Sequence, residues 1–282
     1  MYMMKAKIGG REKAGFFTYA FAVLMVMAAL GPFVYVVLTA LKSPEQIYNA
    51  EEIIPSYITL SNFTGVLTRS LFVRYFLNSA YITFVTMLIS MAMAILAAYG
   101  FTHYHIFGAN AMKTTILMTR MFPGILLCLP FYIIMKKLGL IDSHLGLILM
   151  YLSFTLPFAI WNLCAFFAQM PWELEEAALI DGCARFSAFF RVMIHVAKPG
   201  LFVTALFSFM NNWDEYMYAM IFINTMEKKT IQVGMKDFIG QYNTDWGMLM
   251  AAVTLSLIPV FIFFAIVQKH LMTGLTTGAV KG

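Results

Sequence analysis

Charge is what this sequence has least of. Only 12% of its residues are Asp, Glu, Lys or Arg while 61% are hydrophobic, and the mean hydropathy of +0.78 excludes an ordinary soluble surface. Cysteine is nearly as scarce. Cys128, Cys164 and Cys183 stand alone, with no Cys-x-x-Cys pair, so they read as structural thiols and exclude a redox motif. No Gly-x-x-x-x-Gly-Lys-Ser/Thr loop occurs, so nothing in the chain is built to hydrolyse ATP. His-Glu-x-x-His and Gly-x-Ser-x-Gly are absent too, which removes the zinc-protease and serine-hydrolase readings. His103 and His105 lack a further ligand nearby and read as interfacial histidines, with no metal site. The net charge of +5 suits the basic loop ends of a membrane protein and implies no nucleic-acid partner.

What is present is a series of long uncharged runs. They predict an all-α, polytopic membrane protein in a single transmembrane domain over 1–282, with six transmembrane helices. The spans fall at about 16–40, 76–102, 114–135, 145–168, 201–223 and 248–267, and a polar loop fills 170–200. The first run is too long for the apolar region of a signal peptide and reads as a retained span. Lys5, Lys7, Arg11 and Lys13 precede it, which places the N-terminus in the cytoplasm; an even number of spans returns the C-terminus to the same side. The other basic residues divide almost evenly between the two sides, so the orientation rests on this leader. Pro123 and Pro130 are expected to kink the third span, freeing carbonyls that can face a polar path.

The loop between the fourth and fifth spans is a polar island in an apolar chain. Pro171 suits the first turn of a helix, and Glu173, Glu175 and Glu176 place negative charge at the positive end of its dipole. Gly182 supplies a residue able to take the left-handed conformation that stops the helix. A second segment runs from Ala184 through Arg185 and Arg191 to Val196, and Lys198-Pro199-Gly200 breaks it. The predicted shape is helix, turn, helix. Ala177 and Ala178 leave little side chain beside the turn, so another protein could approach closely while Glu176 offers a carboxylate to a basic partner. On composition alone the same stretch also fits an ordinary solvated loop.

The run Glu176-Ala177-Ala178, three residues, then Gly182 resembles the Glu-Ala-Ala loop of the membrane subunits of bacterial ATP-binding-cassette importers. Beyond the Gly that pattern normally continues as Ile-x-Leu-Pro, where this chain has Val192, Met193, Ile194 and His195. Further stretches are similar to the carbohydrate-uptake branch, in particular to the second membrane subunit of maltose and glycerol-phosphate systems. They are Leu41-Lys42-Ser43-Pro44, Asn78-Ser79, Asn212-Trp213-Asp214-Glu215-Tyr216 and the ending Gly274 to Gly282. The resemblance implies a location in the bacterial inner membrane. It also implies a complex with a homologous second permease, two ATPase subunits and an extracytoplasmic substrate-binding protein. Any ATP and Mg would belong to the ATPase subunits, and this chain would hold no cofactor of its own. By the same resemblance Glu175, Glu176, Ala177, Ala178, Asp181, Gly182 and Arg185 form the ATPase-coupling surface, and Thr277, Gly278 and Lys281 form a tail reaching the ATPase. A frayed terminus is the other reading of that tail.

Asn211, Asn212, Trp213, Asp214 and Tyr216, with Glu215 and Tyr218 among them, combine polar groups and aromatic faces within the fifth span, past its middle. They are candidates for the substrate path, or alternatively an aromatic belt at the membrane surface. Arg120, measured from Thr114 along a straight helix, is expected to snorkel to the cytoplasmic interface. Two other functions stay open. A gradient-driven secondary carrier would use Asp214 and Glu215 as coupling carboxylates, and a membrane receptor or scaffold would use the island alone.

Overall fold

The computed structural model describes residues 15–49, 51–171, 173–240 and 243–278, the stretch 270–278 by its backbone alone. The basic leader lies outside the described residues, as does Lys281. Among the described residues the chain is helical, with a lone bridge between Ile239 and Thr244 and no strand.

The helices are α1 (Phe16–Ala40), α2 (Pro44–Ile47), α3 (Ser61–Arg69), α4 (Phe72–His103), α5 (Ala109–Met118), α6 (Gly124–Lys137) and α7 (His144–Phe167). There follow α8 (Glu173–Ile180), α9 (Arg185–Ala188), α10 (Ile194–Val196), α11 (Lys198–Trp213), α12 (Met217–Phe222), α13 (Ile231–Gly234) and α14 (Trp246–Gly278). Four helices, α1, α4, α7 and the Trp246–Lys269 part of α14, are long and apolar enough to cross a membrane unaided. Two bent pairs, 109–137 and 185–213, bring the number to as many as six if each pair counts as one span. The first and fourth runs match α1 and α7 to within a residue, whereas the third and fifth are broken helices.

Close packing of α4 explains why it can be the central span. Ser79, Thr83, Thr86, Ser90, Ala94 and Ala98 recur three or four residues apart and are all buried. That spacing puts them on one face, and small side chains there let α7 and α11 approach closely. Three buried clusters result. One lies at the island end, around Tyr99, Phe167 and Met193. Another lies at the far end, around Tyr151, Phe222 and Leu147. The third joins α4, α11 and α14 through Phe209, Trp213 and Ala252. Outside this bundle α1 touches α14, with Phe33 edge-on to Phe261 at 6.2 Å, and leaves most of its apolar surface exposed, as a lipid-facing helix can.

The far end is laced by side chains. Asn78 donates to the carbonyls of Glu227 (2.8 Å) and Lys229 (2.9 Å), and Ser79 Oγ accepts from the Ile231 amide at 2.8 Å. These two residues, which open the second predicted span, therefore strap the 226–231 segment to α4. Asp142 sits at φ 57° in the turn between α6 and α7. Its carboxylate accepts from the amides of Asn224 and Thr225 (both 2.9 Å), from the Thr225 hydroxyl (2.5 Å) and from Lys228 Nζ (3.1 Å). The Thr225 hydroxyl bond, then the backbone bonds and Lys228, hold this carboxyl far below the usual carboxylate range.

Candidate functional site

The island folds as its sequence predicts and then divides its residues between two faces. α8 carries Glu173, Glu175 and Glu176 in its first turn. It stops at Gly182, which takes φ 86°. The Cys183 amide bonds the Ala178 carbonyl (3.0 Å) and the Gly182 amide the Leu179 carbonyl (3.1 Å), the Schellman pattern that satisfies the last carbonyls of a helix. The return segment is α9, one π-helical stretch (Phe189–Met193) and α10, which together bend by 73° into α11. Pro199 opens α11, so the break expected from Lys198-Pro199-Gly200 is made there without a proline at His195. Gly200 is required at this corner because a Cβ would lie 2.4 Å from the Phe166 ring.

Glu176, Ala177, Asp181, Gly182 and Arg185 face outward. Ile180 and Phe186 stand beside them at 85% and 75% exposure, which makes the outer face apolar as well as charged. Ala178 differs from expectation. It is buried, and its small side chain lets α8 pack on the return segment rather than admitting an outside surface. Glu175 also turns inward. It accepts a 2.6 Å hydrogen bond from the Tyr99 hydroxyl, and His103 Nε2 lies 3.7 Å from its other oxygen. Tyr99 in turn stacks on His103 at 4.4 Å and meets Phe189 at 4.5 Å and Phe167 at 6.1 Å. One tyrosine thus joins α4, α7, α8 and the return segment. Nothing in the sequence near Glu175 signals this, because its partner is 76 residues away.

A second polar site lies between the two broken spans. Phe122 precedes Pro123, which disfavours the helical conformation, and it takes ψ 126°; the segments before and after meet at 98°. The predicted kink at Pro123 is therefore a break, while α6 continues through Pro130. In the fifth span α11 ends at Trp213, and Glu215 restarts the helix. Its Oε1 accepts from the Tyr218 amide (2.7 Å) and its Oε2 from the Ala219 amide (3.1 Å), capping α12. The Tyr218 hydroxyl donates to the Gly124 carbonyl at 3.2 Å, tying one break to the other.

Arg120 points into this region, contrary to the snorkelling expected. Its Nη1 donates to the Phe154 carbonyl at 2.6 Å, and its guanidinium carbon lies 5.2 Å from the Phe158 ring centroid. Phe154 is near the middle of α7, so Arg120 lies level with the middle of that span and away from its ends. The straight-helix measurement failed because α5 starts earlier than Thr114, at Ala109, and the span bends at Pro123. Arg120, Ser153, Phe154, Glu215 and Tyr218 line a cavity of about 460 Å³.

The path residues expected in the fifth span are scattered. Trp213 is buried, stacks on Phe209 at 5.6 Å and donates to the Ser256 carbonyl at 3.2 Å, so in this subunit it packs the bundle. Asn212 is buried and accepts from Thr155 at 2.7 Å, holding α7 to α11. Asn211 bonds its own helix at the Phe207 carbonyl, and Asp214 and Tyr216 are exposed in the break. Of the polar residues of this run, Glu215 is the one that faces the cavity, with Tyr218 beside it. Thr277 and Gly278 close α14.

Residues 90–276, which include the island and the cavity, match the family model described as binding-protein-dependent transport system inner membrane component. The chain belongs to this family. As a multi-pass inner-membrane permease it has well-covered relatives. It is 34% identical over 261 residues to the trehalose transport system permease protein SugB of Mycobacterium tuberculosis, covering 92% of this permease and 95% of the relative. It is 31% identical over 264 residues to the trehalose/maltose transport system permease protein MalG of Thermococcus litoralis, covering 93% and 95%. Among solved structures, a chain of a bacterial ABC transporter that imports the acidic polysaccharide alginate superposes with a TM-score of 0.76 at 26% identity, over 90% of this permease and 95% of that chain.

Proposed function

We propose that this permease forms half of the translocation path of an ATP-driven importer for a sugar, oligosaccharide or related polyol. It pairs with a homologous permease, and two ATPase subunits drive it through the island. The island end then faces the cytoplasm, and the laced far end faces the substrate-binding protein. The trehalose and trehalose/maltose systems of its relatives support the substrate class.

The observation that carries the coupling is the division of the two adjacent glutamates. Glu176 stands on an exposed, partly apolar face, while Glu175 is locked to Tyr99 behind it. A partner that grips the outer face therefore pulls on a body bonded to α4 and packed on α7. ATP-driven closure of the ATPase pair moves the knob, and the spans tilt with it. Replacing Glu176 by Lys sets like charges against a basic groove, at a cost of about 2–5 kcal/mol for a desolvated contact. In the reconstituted complex, Glu176→Lys is expected to dissociate the ATPase or to abolish sugar-stimulated ATP turnover. Full coupled turnover in that variant would contradict the reading. Uptake that survives ATP depletion and stops with an uncoupler would favour the gradient-driven carrier.

A further inference from the structure

The cavity between the two broken spans has features that packing does not explain. A charged side chain level with the middle of a span is costly unless it faces protein or water, yet Arg120 is exposed in this subunit. It cannot face lipid cheaply, so it faces the path or the partner permease. Its Nη1 is placed by the Phe154 carbonyl, and the remaining guanidinium donors meet no acceptor among the described residues. Across the same cavity Glu215 is held by the amides of Tyr218 and Ala219, and its carboxylate lines the cavity wall. Phe154 and Tyr218 stack at 5.8 Å with rings 13° apart and form an aromatic wall, and Ser153 is exposed at its edge. The volume of about 460 Å³ suits a small ligand.

We propose that this cavity is a sugar-binding station in the translocation path, with Arg120 and Glu215 taking ligand hydroxyls and the aromatic wall taking a sugar C–H face. One cation and one anion balance, so the station selects a neutral sugar over a uronate. Both groups are held by the backbone and need no reorganisation to meet a ligand, and the breaks at Pro123 and Glu215 open the wall where it passes.

This inference rests on the importer reading, and the test separates the two. In the reconstituted complex carrying Cys183→Ser, Ser153→Cys is labelled with a water-soluble maleimide, the unsubstituted Cys183→Ser complex giving the background. Trehalose, maltose, diacetylchitobiose and a galacturonate oligomer are the probes, and sugar-stimulated ATP turnover is recorded in the same samples. The expected result is labelling slowed at least fivefold by one or more neutral probes and unaffected by the galacturonate oligomer. Arg120→Gln is expected to remove that protection, read as the ratio of labelling rates with and without sugar in the same variant. Absence of protection by every neutral probe in a complex whose ATP turnover is coupled overturns the station but leaves the importer standing. Stronger protection by galacturonate, or protection that survives Arg120→Gln, also overturns it. Loss of coupling itself would count against the importer reading.

Discussion

The island and the cavity are both polar interruptions of an apolar chain, but they are assembled in opposite ways. The island is contiguous, a helix, a Schellman turn and a return segment within residues 173–196, and each local feature has its own local cause. The cavity takes Arg120, Ser153 and Glu215 from three separate spans, beside the break at Pro123 and the interruption between α11 and α12, which the Tyr218–Gly124 bond ties together. The island is bonded to α4 at its back and exposed at its front, which suits the coupling role proposed for it. In the cavity the charged groups are held by a backbone carbonyl and backbone amides and line its wall. Force transmission needs one stiff body, whereas ligand passage needs groups that different spans can bring together and separate.

The largest effect expected on the island side is that of Glu176→Lys, a loss of sugar-stimulated ATP turnover of at least tenfold, measured in the reconstituted complex. Glu175→Gln keeps an acceptor for Tyr99 and is expected to stay within about twofold of wild type, so equal damage from both would erase the distinction between the two faces. Trp213→Ala probes packing near the cavity. Removing a buried tryptophan costs about 3–5 kcal/mol and is expected to lower the thermal midpoint strongly, without changing the sugar protection of a label at Ser153→Cys. A specific loss of protection with an unchanged midpoint would return Trp213 to the path.

Tyr99→Phe should cost less, about 1–3 kcal/mol, because it leaves the Glu175 carboxylate half-buried without its hydroxyl partner. The informative readout is coupling efficiency, expected to fall while the ATPase stays bound. Smallest is Asp142→Asn, about 1–2 kcal/mol through weakened hydrogen bonds to the carboxylate. Because the folded Asp142 carboxyl is depressed, its contribution is present above the unfolded value of about 3.9 and is lost as pH falls toward the folded one. A thermal midpoint that is flat from pH 8 to 5 and falls below about pH 4 is expected, with a shallower acid limb in the variant. An identical acid limb would remove Asp142 from the far-end lacing.

Much of this fold was legible in the sequence because hydrocarbon imposes long uncharged runs, and the ends of α1 and α7 were placed to within a residue. The turn at Gly182 was legible too, since only its left-handed conformation closes that helix cheaply. The break after Trp213 was not, because hydropathy counts Glu215 as an interruption and is blind to its carboxylate capping the next helix. Arg120 was misplaced for a related reason: depth along a straight helix means little once Pro123 turns the span. Ala178 and Glu175 fell on the buried side of a motif whose letters do not distinguish faces. Their partners, Tyr99 and the return segment, become neighbours only in three dimensions.

The most direct test of the coupling claim is to purify the permease from its native membrane in mild detergent, with Glu176 intact and with Glu176→Lys, and to quantify the associated chains by mass spectrometry. The account predicts an ATPase subunit and a second multi-span permease with the intact chain. The Lys variant should lose the ATPase while keeping the permease. Recovery of the intact chain alone or as a homodimer, or equal ATPase recovery with the variant together with undiminished coupled turnover, would contradict it.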